Sequence, residues 1–231
     1  MTMPQFDFDI ILKTLPYLLR DGMSFTLTLT ALAALGGLLL GTLLALMRLS
    51  TVPGLATFAT AYVNLMRSLP LVLVIFWFYF LVPYIGQVIL RAERPVEVGA
   101  FASALITFTM FEAAYFSEIM RAGIQSIPKG QLSAGYALGL TYRQVMGYIV
   151  VPQALRNMLP VILTQTIVLF QDTSLVYVIS ITDFLGAASK VAQRDGRLIE
   201  MYLFAALVYF LISFMASLLV KRLQARTAII R

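Results

Sequence analysis

The chain has 231 residues, of which 60% are hydrophobic and only 12% charged, with a mean hydropathy of +0.88. A soluble surface needs about a quarter of its residues charged, so this composition excludes a water-soluble globular domain and places the chain in a bilayer. The absence of Cys and His excludes disulfides, thiolate chemistry, ordinary zinc sites and imidazole catalysis, and the net charge of +6 is scattered singly along loops, which argues for membrane topology and against nucleic acid.

Residues 1–21 set Asp7, Asp9 and Asp21 against Lys13 and Arg20. They lack the basic start of a cleavable signal, so the first span is expected to act as its own insertion signal. Five stretches reach the roughly 20 apolar residues that a bilayer core requires. They lie near 22–48, 54–84, 98–122, 155–181 and 199–221, and predict one all-helical bundle over 1–231 with no second domain or repeat.

In the first span Ala33, Gly37, Gly41 and Ala45 recur every four residues, a smooth stripe for close helix packing. The second contains Pro70 and Pro83, which predict a kink or break. Its aromatic run, Phe76 to Phe80, suits an interfacial belt. The third carries Glu112 within the bilayer and ends on Glu118 and Arg121, three apart, an ordinary helix-surface pair.

Residues 129–152 follow. Leu132, Tyr136, Leu140, Val145 and Ile149 fall at roughly helical spacing between the polar Gln131, Arg143 and Gln144, so one or two short amphipathic helices, broken near Gly139, are predicted. Such a helix rests either on headgroups or on a partner. In the fourth span Gln165 and Asp172 are two turns apart on one face, with Thr164 and Gln171 beside them and Thr173 and Ser174 just beyond. With Glu112 these form a candidate polar path, the alternative being a structural hydrogen bond between helices. Residues 183–197 mix both charges and are long enough for a short helix.

The charges also predict orientation. One side collects Arg48, Arg67, Arg121, Lys129, Arg143, Arg156, Lys221, Arg222, Arg226 and Arg231 around a single acid, Glu118. The other side balances Lys13, Arg20, Arg91, Arg94, Lys190, Arg194 and Arg197 with Asp7, Asp9, Asp21, Glu93, Glu97, Asp183, Asp195 and Glu200. This predicts the N-terminus outside and the C-terminus in the cytoplasm. No Gly-x-x-x-x-Gly-Lys-Ser/Thr is present, so a phosphate-cradling P-loop is excluded.

The loop resembles that of bacterial ATP-binding-cassette (ABC) importer permeases: Glu-Ala-Ala, a glycine four residues later, nine residues, then Ile-x-Leu-Pro. Ser133, Ala134 and Gly135 stand at the triplet, Gly139 at the glycine, and Ile149, Val151 and Pro152 at the end, with Ser133 replacing the acid. Asn64 to Pro70, Tyr115 to Gln131 and Gln171 to Leu175 are similar to the polar amino-acid branch. The runs Phe111 to Tyr115 and Phe170 to Tyr177 look most like glutamate/aspartate permeases.

The resemblance implies a multi-pass permease of the bacterial inner membrane. Its implied partners are two ATPase subunits, a second permease subunit or a copy of itself, and a periplasmic amino-acid-binding protein. It implies no catalytic residue and no cofactor in this chain, with ATP and Mg on the ATPase. Coupling would run through Ser133, Ala134, Gly135, Tyr136, Leu138, Gly139, Ile149 and Pro152, and the substrate path through Glu112, Gln165, Asp172, Thr173 and Ser174. Residues 183–197 would meet the binding protein, though a solvated loop explains their charges equally well. The rival reading is an ion-coupled carrier or channel using Glu112 and Asp172. A membrane enzyme would need convergent catalytic groups, and without His or Cys only these acids and hydroxyls remain.

Overall fold

The computed structural model describes residues 6–227; residues 1–5 and Arg231, one of the bases in the topology count, lie outside them. All the regular structure among the described residues is helical, and five helical segments are long and apolar enough to cross a membrane: Phe8–Leu49, Leu71–Leu90, Ala100–Gln125, Tyr142–Ile179 and Leu198–Arg226.

The first helix begins earlier than its apolar stretch. Asp7 caps α1 (Phe8–Tyr17) by accepting from the backbone N–H groups of Asp9 and Ile10. A wide turn over Leu18–Met23 then passes directly into α2 (Ser24–Leu49). Pro16 inside α1 removes a backbone donor without breaking the helix. Expected to begin near 22, the first helix therefore begins at Phe8.

The second expected span, 54–84, is two helices. α3 (Pro53–Ser68) ends at extended Leu69, and Pro70 precedes α4 (Leu71–Phe76), a wide turn over Trp77–Leu81 and α5 (Val82–Leu90). Proline crowds the residue before it out of helical geometry and brings no N–H of its own, which puts the break at Leu69–Pro70. Pro83 sits in the first turn of α5, where a missing N–H is harmless, and no break occurs there. The span-length segment is Leu71–Leu90. From the aromatic run, Trp77 and Phe80 are exposed, while Phe76 and Tyr79 pack on the core.

α6 (Ala100–Gln125) is the centre of the bundle. The small-residue stripe of α2 lies against it: Ala33, Gly37, Gly41 and Ala45 are all buried. A Cβ at Gly41 would stand 2.8 Å from both the Ala113 carbonyl oxygen and Phe116 Cβ, and one at Gly37 2.9 Å from Glu112 Cβ. The stripe thus serves packing within the chain, bringing the two backbones into direct contact.

α7 (Lys129–Ala137) and the single turn α8 (Tyr142–Gln144) follow. A wide turn over Val145–Val150 then joins α8 to α9 (Val151–Asp172) without a break, and α9 tightens to a 3₁₀ helix over Thr173–Ile179. The fourth helical segment accordingly begins at Tyr142, earlier than the expected 155. α10 (Phe184–Asp195) and α11 (Leu198–Thr227) complete the chain. α2 runs between two polar pins: near its start Thr26 Oγ1 accepts from the Phe184 N–H at 3.0 Å, and at its end Arg48 bonds Glu118. At 1.5 Å per residue these pins are roughly 33 Å apart, close to the thickness of a bilayer core.

Candidate functional site

The α7 corner is built from the sequence features that predicted it. α7 ends where Gly139 takes a left-handed conformation (φ +80°), a geometry that disfavours any side chain with a Cβ. Around it the N–H groups of Leu138, Gly139 and Leu140 donate to the carbonyls of Ala134, Tyr136 and Gly135. Thr141 and Gln144 cap α8 reciprocally: each side chain accepts from the other's backbone N–H.

Of the coupling candidates, Gly135 is buried, and a Cβ there would meet Ile149 Cδ1 at 2.8 Å. Ile149 therefore faces inward and seats α7 on the wide turn before α9. Pro152 occupies the first turn of α9. Ser133, Ala134, Tyr136, Leu138 and Gly139 are exposed. Leu138 is 81% exposed, and Tyr136, Tyr142 and Tyr148 also stand out of the fold. Beneath them Ile127, Val145, Val150, Ala154 and Met158 form a buried cluster with Leu132, Leu140 and Ile149 packed on it, binding α7 to the adjoining ends of α6 and α9. The corner is firmly held from below and leaves apolar and aromatic side chains uncovered above.

Farther along the α6–α9 contact, Gln165 Nε2 donates to both carboxylate oxygens of the fully buried Glu112, at 3.3 and 3.1 Å. Both readings of Glu112 and Gln165 meet here: the pair joins two helices and sits between the spans. Asp172 is half-buried at the last residue of α9. Thr173 is fully buried and its hydroxyl donates back to the Phe170 carbonyl oxygen at 2.7 Å, so it faces no path; Ser174 is half-buried. Among the described residues no group of three or more acids is arranged to hold a metal.

The structure shows a charge cluster that sequence reasoning missed. Glu118 is paired with three arginines: Arg48 at 3.0 Å, Arg67 at 3.2 Å and Arg121 at 2.7 Å. It ties α2, α3 and α6 together, far more than a surface pair with Arg121. The available signal was the charge count itself, one acid among ten bases on one side of the chain.

Residues 183–197 also differ from a loosely solvated loop. α10 buries Phe184, Gly186, Ala187, Ala188, Ser189, Val191 and Ala192 against α11 and the wide turn after α1, leaving Lys190, Gln193, Arg194 and Asp195 exposed. Buried Asp183 caps it, accepting from the Gly186 and Leu185 N–H groups at 2.8 and 3.0 Å and from the Tyr209 hydroxyl at 3.4 Å. Burial outweighs these bonds and pushes its carboxyl up to about 6.

Residues 37–229 match the family described as binding-protein-dependent transport system inner membrane component. The chain is 54% identical to the glutamate/aspartate import permease protein GltK of Escherichia coli O6:H1, over 98% of this chain and 100% of that one. It is 36% identical to the probable glutamine ABC transporter permease protein GlnP of Bacillus subtilis, over 90% and 93% of the two chains. An amino acid ABC transporter of known crystal structure superimposes with a TM-score of 0.86 at 30% identity, over 95% of this chain and 98% of that one. The MetNI methionine ABC transporter in inward-facing form does so at 0.72 and 19% identity, over 92% and 97%, a likeness of fold.

Proposed function

Because the chain belongs to the binding-protein-dependent transport system inner membrane component family, we propose that it is the permease subunit of an ATP-driven importer of glutamate and aspartate. The 54% identity to a glutamate/aspartate import permease over its whole length carries this reading. The N-terminus lies outside and the C-terminus in the cytoplasm. ATP is hydrolysed on two separate ATPase subunits, a second permease subunit or a copy of this chain completes the pore, and a periplasmic binding protein delivers the substrate.

The ATPase docks on the α7 corner through Tyr136, Leu138, Tyr142 and Tyr148, which are uncovered and apolar. Contact there is by shape and packing, since Ser133 offers no charge. The stroke travels on rigid elements: α8 and α9 form one unbroken helical rod from Tyr142 to Asp172, so displacing its foot moves Gln165 and Asp172 against Glu112. Access to the polar path alternates as this α6–α9 contact rearranges.

The test is uptake of labelled glutamate into vesicles holding the full complex. ATP-dependent accumulation is expected, and Leu138→Asp is expected to leave a complex that neither couples nor transports. Accumulation driven by an ion gradient without ATP overturns the reading in favour of a carrier using Glu112 and Asp172.

A further inference from the structure

The α6–α9 groove does not stop at Glu112 and Gln165. Six residues farther along α6, about 9 Å at 1.5 Å per residue, stands Glu118; eight residues back along α9 stands Asn157. Between them lies a cavity of about 400 Å³ bounded by Arg67, Glu118, Gly123, Ser126, Asn157 and Met158, among others. That volume is within the ~300–1,000 Å³ range of small-molecule sites.

Its wall carries one guanidinium, Arg67, and one carboxylate, Glu118, and Glu118 is held from outside the wall by two further guanidiniums, Arg48 and Arg121. The three are held differently. Arg48 is 9% exposed and hydrogen-bonds Glu118 Oε1 at 3.0 Å; Arg121 holds Oε2 through two of its nitrogens and also bonds Gln125. Arg67 is 42% exposed, meets Oε1 at 3.2 Å without a hydrogen bond, and rests its guanidinium 5.5 Å from the centre of the Tyr115 ring. If Arg67 turns away, Glu118 keeps two cationic partners, so its release strands no buried charge.

We propose that this cavity is a carboxylate-binding station on the transport path and that Arg67 is its receptor, exchanging the Glu118 carboxylate for the side-chain carboxylate of the passing amino acid. The inference rests on the importer reading above and adds to it a site for an acidic substrate beyond the repelling acids Glu112 and Asp172. Arginine suits the task because its planar fork pairs with a carboxylate through two parallel bonds.

The test measures equilibrium binding of labelled glutamate and of its neutral isostere glutamine to the purified complex, with neither binding protein nor nucleotide present. In Arg67→Gln, glutamate binding is expected to weaken about tenfold or more, as for loss of a charge-assisted pair, while glutamine changes less than about threefold. Arg67→Lys is expected to fall between. Asn157→Asp leaves every ion pair in place and adds a negative charge to the same wall; it is expected to weaken glutamate selectively, and it decides the matter if Arg67→Gln complexes fail to assemble.

Equal weakening of both amino acids marks Arg67 as merely structural and overturns the proposal. So does unchanged glutamate binding in both variants, or no saturable glutamate binding to the wild type. ATP-driven uptake by the same wild-type preparation separates the two readings: if it is present while the binding result fails, only the station falls; if it is absent, the importer reading falls with it.

Discussion

The two ends of α2 hold acids in opposite ways, one buried and one half-buried. At the α10 end, Asp183 is held by backbone N–H groups and a tyrosine hydroxyl, all neutral. At the α7 end, Glu118 is surrounded by three full positive charges. Neutral donors fix a carboxylate in place yet do not fully replace its hydration, and burial leaves its proton harder to remove. Three guanidiniums do the reverse: they make the carboxylate indispensable, because without it the arginines face one another. One end is a cap that tolerates a neutral acid, and the other a junction that requires an ionised one.

The sharpest way to break the comparison is Glu118→Ala. It leaves Arg48 almost buried with no acid, and the expected loss is about 3 kcal/mol of stability. That is roughly 6–12 °C in the melting midpoint of the purified chain in mild detergent; a shift under about 2 °C would show that the arginines find other partners.

Asp183 gives the next effect through pH. Its folded carboxyl titrates near 6, above the ~3.9 of an unfolded chain. Its contribution is therefore greatest below about pH 4 and is lost as pH rises through 6, by about 2–3 kcal/mol. Asp183→Asn retains a capping oxygen and cannot ionise. It should match the wild type, less one accepted bond, at low pH and exceed it by about 1–2 kcal/mol above pH 6, read from melting curves across pH 4–7. Parallel curves for the two proteins would refute the assignment.

The smallest effect lies between the two ends, at Glu112. Gln165→Leu removes its amide donor at a cost of about 1 kcal/mol, whereas Glu112→Gln, which keeps an amide-to-amide bond, is expected to cost less. If both changes cost the same, the carboxylate's negative charge is not what Gln165 serves.

What the sequence displayed was periodic or local. The four-residue spacing from Ala33 to Ala45 gave the α2 face that meets α6, and Gly139 with its neighbours gave the break after α7. Leu69–Pro70 marked a break, but hydropathy alone joined α3 to α4, because a sum over apolar residues does not register one missing donor. The Glu118 junction was hidden for another reason: Arg48 lies 70 residues away in sequence, and one guanidinium looks like any other until the chain is folded. The capping role of Asp183 was equally invisible, since a charge in a connecting segment resembles a solvated one until the helix behind it buries its face.

The tight winding after Asp172 bears on how the fourth segment fits its surroundings. Seven residues of 3₁₀ helix advance about 14 Å, where an α-helix would advance about 10.5 Å. The segment thus gains reach across the bilayer with no added residue, a matching of thickness by pitch. Three residues per turn also lines up every third side chain in a straight column, and Thr173, Val176 and Ile179 are the three that are buried there. In α-helical winding that column would drift by about 60° at each step, and the polar Thr173 and the apolar Ile179 would no longer share one seam.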